Sequence, residues 1–188
     1  MDLNSEAIMK PSITKLFRGL MMFVFILTFS CIALAQTSGV TCKGLAKDYI
    51  PQKTPEETYR LELKLMSQGL YCYDLPIFDP NWRRRGSSAI RSARNKQTAK
   101  MFDRHFETYI EGRYAVIYYS QDKQLGPAFL YRDSSGWVLD RTAVIENIHY
   151  GNTWMADEGD YPYLGLLQKV FTLEKGRSGG GITVYRPE

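Results

Sequence analysis

The stretch YAVIYYSQDKQLGPAFLYRDSSGWVLD, residues 114–140, decides the fold. Tyr114 to Ser120 is apolar at both alternating sets of positions, as a strand covered on both faces must be. A polar turn containing Gly126-Pro127 separates it from Ala128–Arg132, a second apolar and aromatic run. Asp133-Ser134-Ser135-Gly136 then supplies a hairpin turn before Trp137–Asp140. Three short runs with tight polar connections predict a three-strand antiparallel meander.

Working outward, the period changes from two to that of a helix. Asp140 reads as the cap of a short helix through His149, with Val144, Ile145 and Ile148 facing inward. A further helix is expected near Tyr163–Phe171, and a last strand over Ile182–Tyr185 after Gly179-Gly180-Gly181. Upstream, Thr54 is a capping residue, Pro55 suits the first helical position and Glu57 completes a T-x-x-E capping box. Tyr59, Leu63, Met66 and Leu70 follow at helical spacing, broadened by Leu61 and Leu65, and Gly69 marks a stop. The alternation in Leu61–Leu65 also fits a strand, but the capping signal outweighs it. Residues 36–53 read as extended, and residues 71–86, with Pro76, Pro80 and Gly86, as mostly loop. A second helical region is expected from Ser88 to Ile110, broken near Asn95, its stripe formed by Phe102, Phe106 and Tyr109 beside Met101 and His105. Helices on either side of a meander predict an α+β domain.

The N-terminus predicts export. Lys10, Lys15 and Arg18 precede an apolar run from Leu20 to Ala35, which closes on Ala33-Leu34-Ala35. A basic start, a short apolar stretch and small residues at the cleavage positions are the layout of a secretory signal. The run is shorter than the about 20 residues a spanning helix needs, so cleavage before Gln36 is expected. Retained, the run would anchor the domain at the membrane by local thinning of the bilayer. Cys31 is a poor lipidation site, since the bulky Phe29 lies among the residues preceding it. Residues 36–188 then form one small domain outside the cytoplasm, periplasmic or extracellular.

Composition bounds the rest. Three basic and two acidic residues leave with residues 1–35, so the net charge falls only from +4 to +3. That balance implies no nucleic-acid partner. Cys42 and Cys72 are the cysteines left, and a pair in an oxidising compartment predicts a disulfide. Closing that loop stabilises by roughly 3.5 kcal/mol in the chain-entropy view. All thirteen tyrosines lie beyond the signal, beside Trp82, Trp137 and Trp154. Their apolar rings and polar tips suit half-buried sheet faces and recognition surfaces alike.

No catalytic motif stands up to its context, and no cofactor is expected. Gly176-Arg177-Ser178-Gly179-Gly180 shares G-x-S-G-G with the nucleophile run of trypsin-like serine proteases, but it lacks the Asp of that motif. A glycine turn before the last strand accounts for it. No phosphate-binding loop is present, since a strand and not a helix follows these glycines. Glu146 and His149 would share one side of a helix as metal ligands, yet a carboxylate-bridged di-metal site needs two such pairs. His105 reads as a packed or surface residue. Asp157-Glu158-Gly159-Asp160 is a compact acidic turn without the spacing of a calcium loop.

The strongest functional signal is basic. Arg83, Arg84, Arg85, Arg91, Arg94, Lys96 and Lys100 occur with no intervening acid, and Trp82 adjoins them. The remainder of the domain carries fourteen basic against eighteen acidic residues, so charge is segregated. Guanidinium forks bind carboxylates and phosphates bidentately. Trp82, Arg83, Arg84, Arg85, Arg91 and Arg94 are therefore the expected contact residues for an anionic envelope component or an acidic protein face. A solvated charge run paired with the domain's own carboxylates is the plainer alternative. These readings favour a non-enzymatic binding, accessory or inhibitor-like module over a small hydrolase whose carboxylates meet only in the fold.

Overall fold

The computed structural model describes residues 42–68, 70, 72–85 and 104–188. The expected signal segment 1–35, Arg91, Arg94, Lys96, Lys100 and most of the helix expected from Ser88 lie outside the described residues. In chain order the described elements are α1 (Cys42–Leu45), α2 (Pro55–Ser67), α3 (Pro80–Arg85), β1 (Glu107–Glu111), β2 (Tyr114–Tyr118), β3 (Ala128–Asp133) and β4 (Gly136–Leu139). There follow α4 (Arg141–Asn147), β5 (Ile148–Tyr150), β6 (Trp154–Asp157), α5 (Pro162–Val170), β7 (Leu173–Arg177) and β8 (Thr183–Pro187). The fold is α+β.

The meander is a four-strand antiparallel sheet, β1-β2-β3-β4, one strand longer than expected. Its extra strand is Glu107–Glu111, which the sequence pattern assigned to the end of a helix. Phe106 and Tyr109 do not share a helical stripe. Phe106 packs in one core and Tyr109 against the other, on opposite sides of the sheet. Glu111 faces Tyr114 across Gly112-Arg113. Gly112 has φ +60° there, the conformation a two-residue hairpin loop asks of its first position. Asp133 closes the next hairpin by accepting the Ser135 amide at 2.7 Å and its hydroxyl at 2.6 Å. At Gly136 a Cβ would stand 2.6 Å from the Gln52 carbonyl, which accepts the Trp137 amide at 2.9 Å. Only glycine lets the segment before α2 cover that end of the sheet.

Cross-strand register sorts the side chains. Ala115, Leu130 and Leu139 line up on one face, Val116 and Phe129 on the other. The first face meets α2, whose capping box forms as expected, Thr54 and Glu57 each accepting the other's amide at 3.3 Å. Tyr59, Leu63 and Leu65 of α2, with Leu70, Leu75, Ile77 and Phe78 beyond it, complete the first core. The second face meets α5 and a second antiparallel sheet, β5-β6-β8-β7. There Phe129 stacks on Tyr163 with centroids 4.2 Å apart, and Trp154 meets Phe171 edge-on at 5.0 Å.

Other expectations shift locally. Residues 36–53 contain α1, and the loop expected over 71–86 ends in α3, because Asp79 caps it and Pro80 begins it. Asp140 does cap α4, accepting the Ala143 amide at 2.9 Å, but the helix stops at Asn147 and His149 lies on β5. Val144 and Ile148 are buried as expected, whereas Ile145 is 53% exposed. A seven-residue helix presents too narrow a face to bury two adjacent residues. The expected last strand is β8, and Gly180 and Gly181, both at positive φ, make the turn that precedes it. The Cys42 and Cys72 sulfurs lie 2.10 Å apart, at disulfide distance.

A basic and aromatic helix beside an apolar cleft

One buried carboxylate sets the position of α3. Asp79 is 3% exposed. Its Oδ1 accepts the Trp82 amide at 2.9 Å and the Thr142 hydroxyl at 2.8 Å, while Oδ2 accepts the Thr142 amide at 3.1 Å. The same group thus caps α3 and the start of α4 and holds the two helices side by side. Trp82, partly buried, stands edge-on to Tyr73 at 5.1 Å. Arg83, Arg84 and Arg85 all point to solvent. Arg85 donates to Glu146 Oε1 at 2.6 Å, with both side chains half exposed. Arg84 donates to Asn81, and neither Arg83 nor Arg84 pairs with a carboxylate among the described residues. The plainer alternative therefore accounts for one of the three arginines. Arg91 and Arg94 lie outside the described residues.

Trp82 also forms a wall of a cleft of about 120 Å³. Leu65, Met66 and Leu70, from α2 and its exit, line it as well. Cys72, Tyr73 and Phe78 complete its apolar lining. Cys72 carries the sulfur that meets Cys42, so the segment forming this wall is tied to the chain's first described helix.

The polar end of the cleft is an ion pair. Arg141 Nε donates to Glu62 Oε1 at 2.6 Å, and its Nη2 pairs with Oε2. The Glu62 side chain is 6% exposed and that of Arg141 21%. Burial alone would lower the Arg141 pKa, and the adjoining Glu62 carboxylate more than reverses this, so the guanidinium stays charged. Burial pushes the Tyr59 phenol well up as well, with Tyr119 3.2 Å away and Glu62 adding to the effect. The sequence reading missed Glu62 and Arg141, which are 79 residues apart. One signal was available. Glu62 follows Tyr59 by three positions and precedes Leu63, so it sits on the stripe that the helix buries.

Buried carboxylates elsewhere are committed to structure. Asp140 caps α4 and accepts the Tyr163 hydroxyl at 3.0 Å, and burial raises its pKa against those two hydrogen bonds. Burial together with Asp79, Asp140 and Asp133 pushes the Tyr131 phenol up to about 12. Neither Asp79 nor Asp140 lines the cleft. Glu146 and His149 do not act together, since Glu146 pairs with Arg85 and His149 Nε2 lies 2.8 Å from Asp157 Oδ1. The acidic turn is likewise divided, Glu158 pairing with Lys175. No group of three or more metal-ligating side chains occurs among the described residues, and no described helix is long and apolar enough to cross a membrane. A wider hollow of about 520 Å³ lies where α5 runs into β7, lined by Gln168–Leu173 and Tyr185. Its one charged lining residue, Lys169, is engaged by Glu111 at 2.6 Å. No protein-family model, no curated protein and no solved structure matches this chain.

Proposed function

We propose that this chain is exported and acts as a non-enzymatic binding protein, holding an anionic partner on the basic and aromatic surface of α3. The observation that carries this reading is the exposure of Arg83, Arg84 and Arg85 on one short helix beside a partly buried Trp82. Two of these guanidiniums have no carboxylate partner among the described residues. Guanidiniums held by a capped helix lose less freedom on docking than the same groups on a loop. The apolar run ending at Ala35 supports export, and the Cys42 and Cys72 sulfurs at disulfide distance support an oxidising compartment. In that compartment the pair forms a disulfide. An acidic protein face or another anionic envelope component is the partner class.

The test is a comparison of the wild type with an Arg83→Ala, Arg84→Ala, Arg85→Ala variant, each immobilised and exposed to envelope extract at low salt. The wild type is expected to retain a component that salt releases, because exposed charges are screened over about 8–10 Å at physiological ionic strength. The variant is expected to lose it while keeping its fold, since exposed substitutions usually cost within about 0.5 kcal/mol. Equal recovery by both proteins would remove the basic surface as the contact.

A further inference from the structure

We infer that the cleft beside α3 is an anchor pocket for an acidic peptide segment that carries one leucine-sized apolar side chain. The inference rests on the reading of α3 as an anion-binding surface and adds what the partner must bring besides charge.

Size comes first. Small-molecule sites usually enclose roughly 300–1,000 Å³, so the about 120 Å³ here is too small for a cofactor or a nucleotide. An apolar cavity of about 150 Å³ holds a benzene ring, which puts this cleft at the scale of one side chain.

Chemistry comes second. Leu65, Met66, Leu70 and Phe78 offer carbon to whatever enters. Arg141 donates one hydrogen bond to Glu62 and neutralises its charge, so the polar end presents no uncompensated charge to recruit an ion, although Glu62 Oε2 receives no hydrogen bond of its own. The occupant is therefore apolar.

Charge complementarity selects its surroundings. Trp82 belongs to both features, lining the cleft while Arg83 and Arg84, which have no carboxylate partner among the described residues, follow on the same helix. A chain whose side chain fills the cleft places its neighbouring residues over α3, where carboxylates gain guanidinium partners. A flexible acidic strand with a buried apolar anchor and a charged rim matches how protein contacts concentrate affinity in one desolvated pocket.

Two synthetic peptides test this, acetyl-Asp-Glu-Leu-Glu-Asp-amide and its alanine analogue, titrated calorimetrically into the full chain at low salt. The leucine peptide is expected to bind about tenfold tighter or more, the ratio that burial of a leucine side chain implies. Met66→Trp fills the cleft and is expected to abolish that ratio while both peptides still bind at the alanine level. Met66→Phe, a smaller fill, serves if the larger one does not fold. The triple arginine variant is expected to weaken both peptides alike and to keep the ratio. Equal binding of the two peptides to the wild type, lost in the triple variant, would overturn the pocket and leave the basic surface standing. A ratio retained with no loss in the triple variant would overturn the acidic flank and the reading of α3 with it. Absence of binding by either peptide would overturn both. Binding to phosphatidylglycerol vesicles that Met66→Trp does not change, with no discrimination between the peptides, would make the partner a membrane surface and overturn the inference.

Discussion

The two faces of the meander sheet are covered by different means. On the first, α2 and the irregular segment from Leu70 to Phe78 close over Ala115, Ile117, Leu130 and Leu139, with a sulfur pair and a buried ion pair among the apolar side chains. On the second, a regular helix and a second sheet deliver large rings, and these stack directly upon one another. Loop backbone needs polar partners, which helix and sheet supply from within themselves. The first face keeps a small apolar cleft, and the second carries a wider hollow at the α5–β7 junction beside its aromatic core. The difference teaches where recognition can arise in a small domain. In the proposed reading it arises on the side whose wall is held by specific cross-links and not by packing alone.

Alkali gives the largest expected effect and asks whether the two sides fail together. Tyr59 in the first core and Tyr163 in the second both have pKa values raised by burial, as does Tyr131 to about 12. An unfolded phenol ionises near 10. Stability held by the neutral phenols is thus fully present below pH 10 and lost as pH rises through about 12. Because both cores rest on the same sheet, the buried phenols are expected to ionise in one cooperative step with loss of secondary structure. Two separate steps would show that the cores melt independently.

Trp154→Ala strikes the second side. The residue is fully buried against Phe171, and its removal is expected to cost about 4 kcal/mol in chemical denaturation. On the first side, replacing Cys42 and Cys72 by serine is expected to cost roughly 3.5 kcal/mol, and alkylation without reduction is expected to label neither cysteine. Free thiols in protein kept under oxidising conditions would leave the cleft wall held by packing alone.

Glu62→Gln is expected to cost about 3 kcal/mol, because it leaves the Arg141 guanidinium without its countercharge. Adding Arg141→Met should recover most of that loss. Failure to recover would mean that the pair shapes the first core beyond balancing its own charge. The smallest effect is expected from Thr54→Ala, about 1 kcal/mol, through loss of one side of the capping box at the start of α2. A larger loss would place α2 at the centre of the first core's stability.

What the sequence by itself determined is the local punctuation. The capping box at Thr54, the Asp140 cap, the three central strands and the helix near Tyr163 all follow from residue type at fixed short spacing, and short spacing survives whatever the rest of the chain does. Its errors share one cause. Phe102, Phe106 and Tyr109 have helical spacing, but Glu107–Glu111 pairs as a strand because β2 offers an open ladder next to it and Gly112 closes the hairpin. β5, β6 and β7 are too short or too charged to show an alternation, and they become strands only through pairing with one another and with β8. The basic run was legible as charge, and its placement beside an apolar cleft was not. That placement depends on Asp79 reaching Thr142 and Glu62 reaching Arg141, contacts spanning 63 and 79 residues. No local pattern encodes such partners, since each residue is ordinary in its own neighbourhood and only burial makes the pairing obligatory.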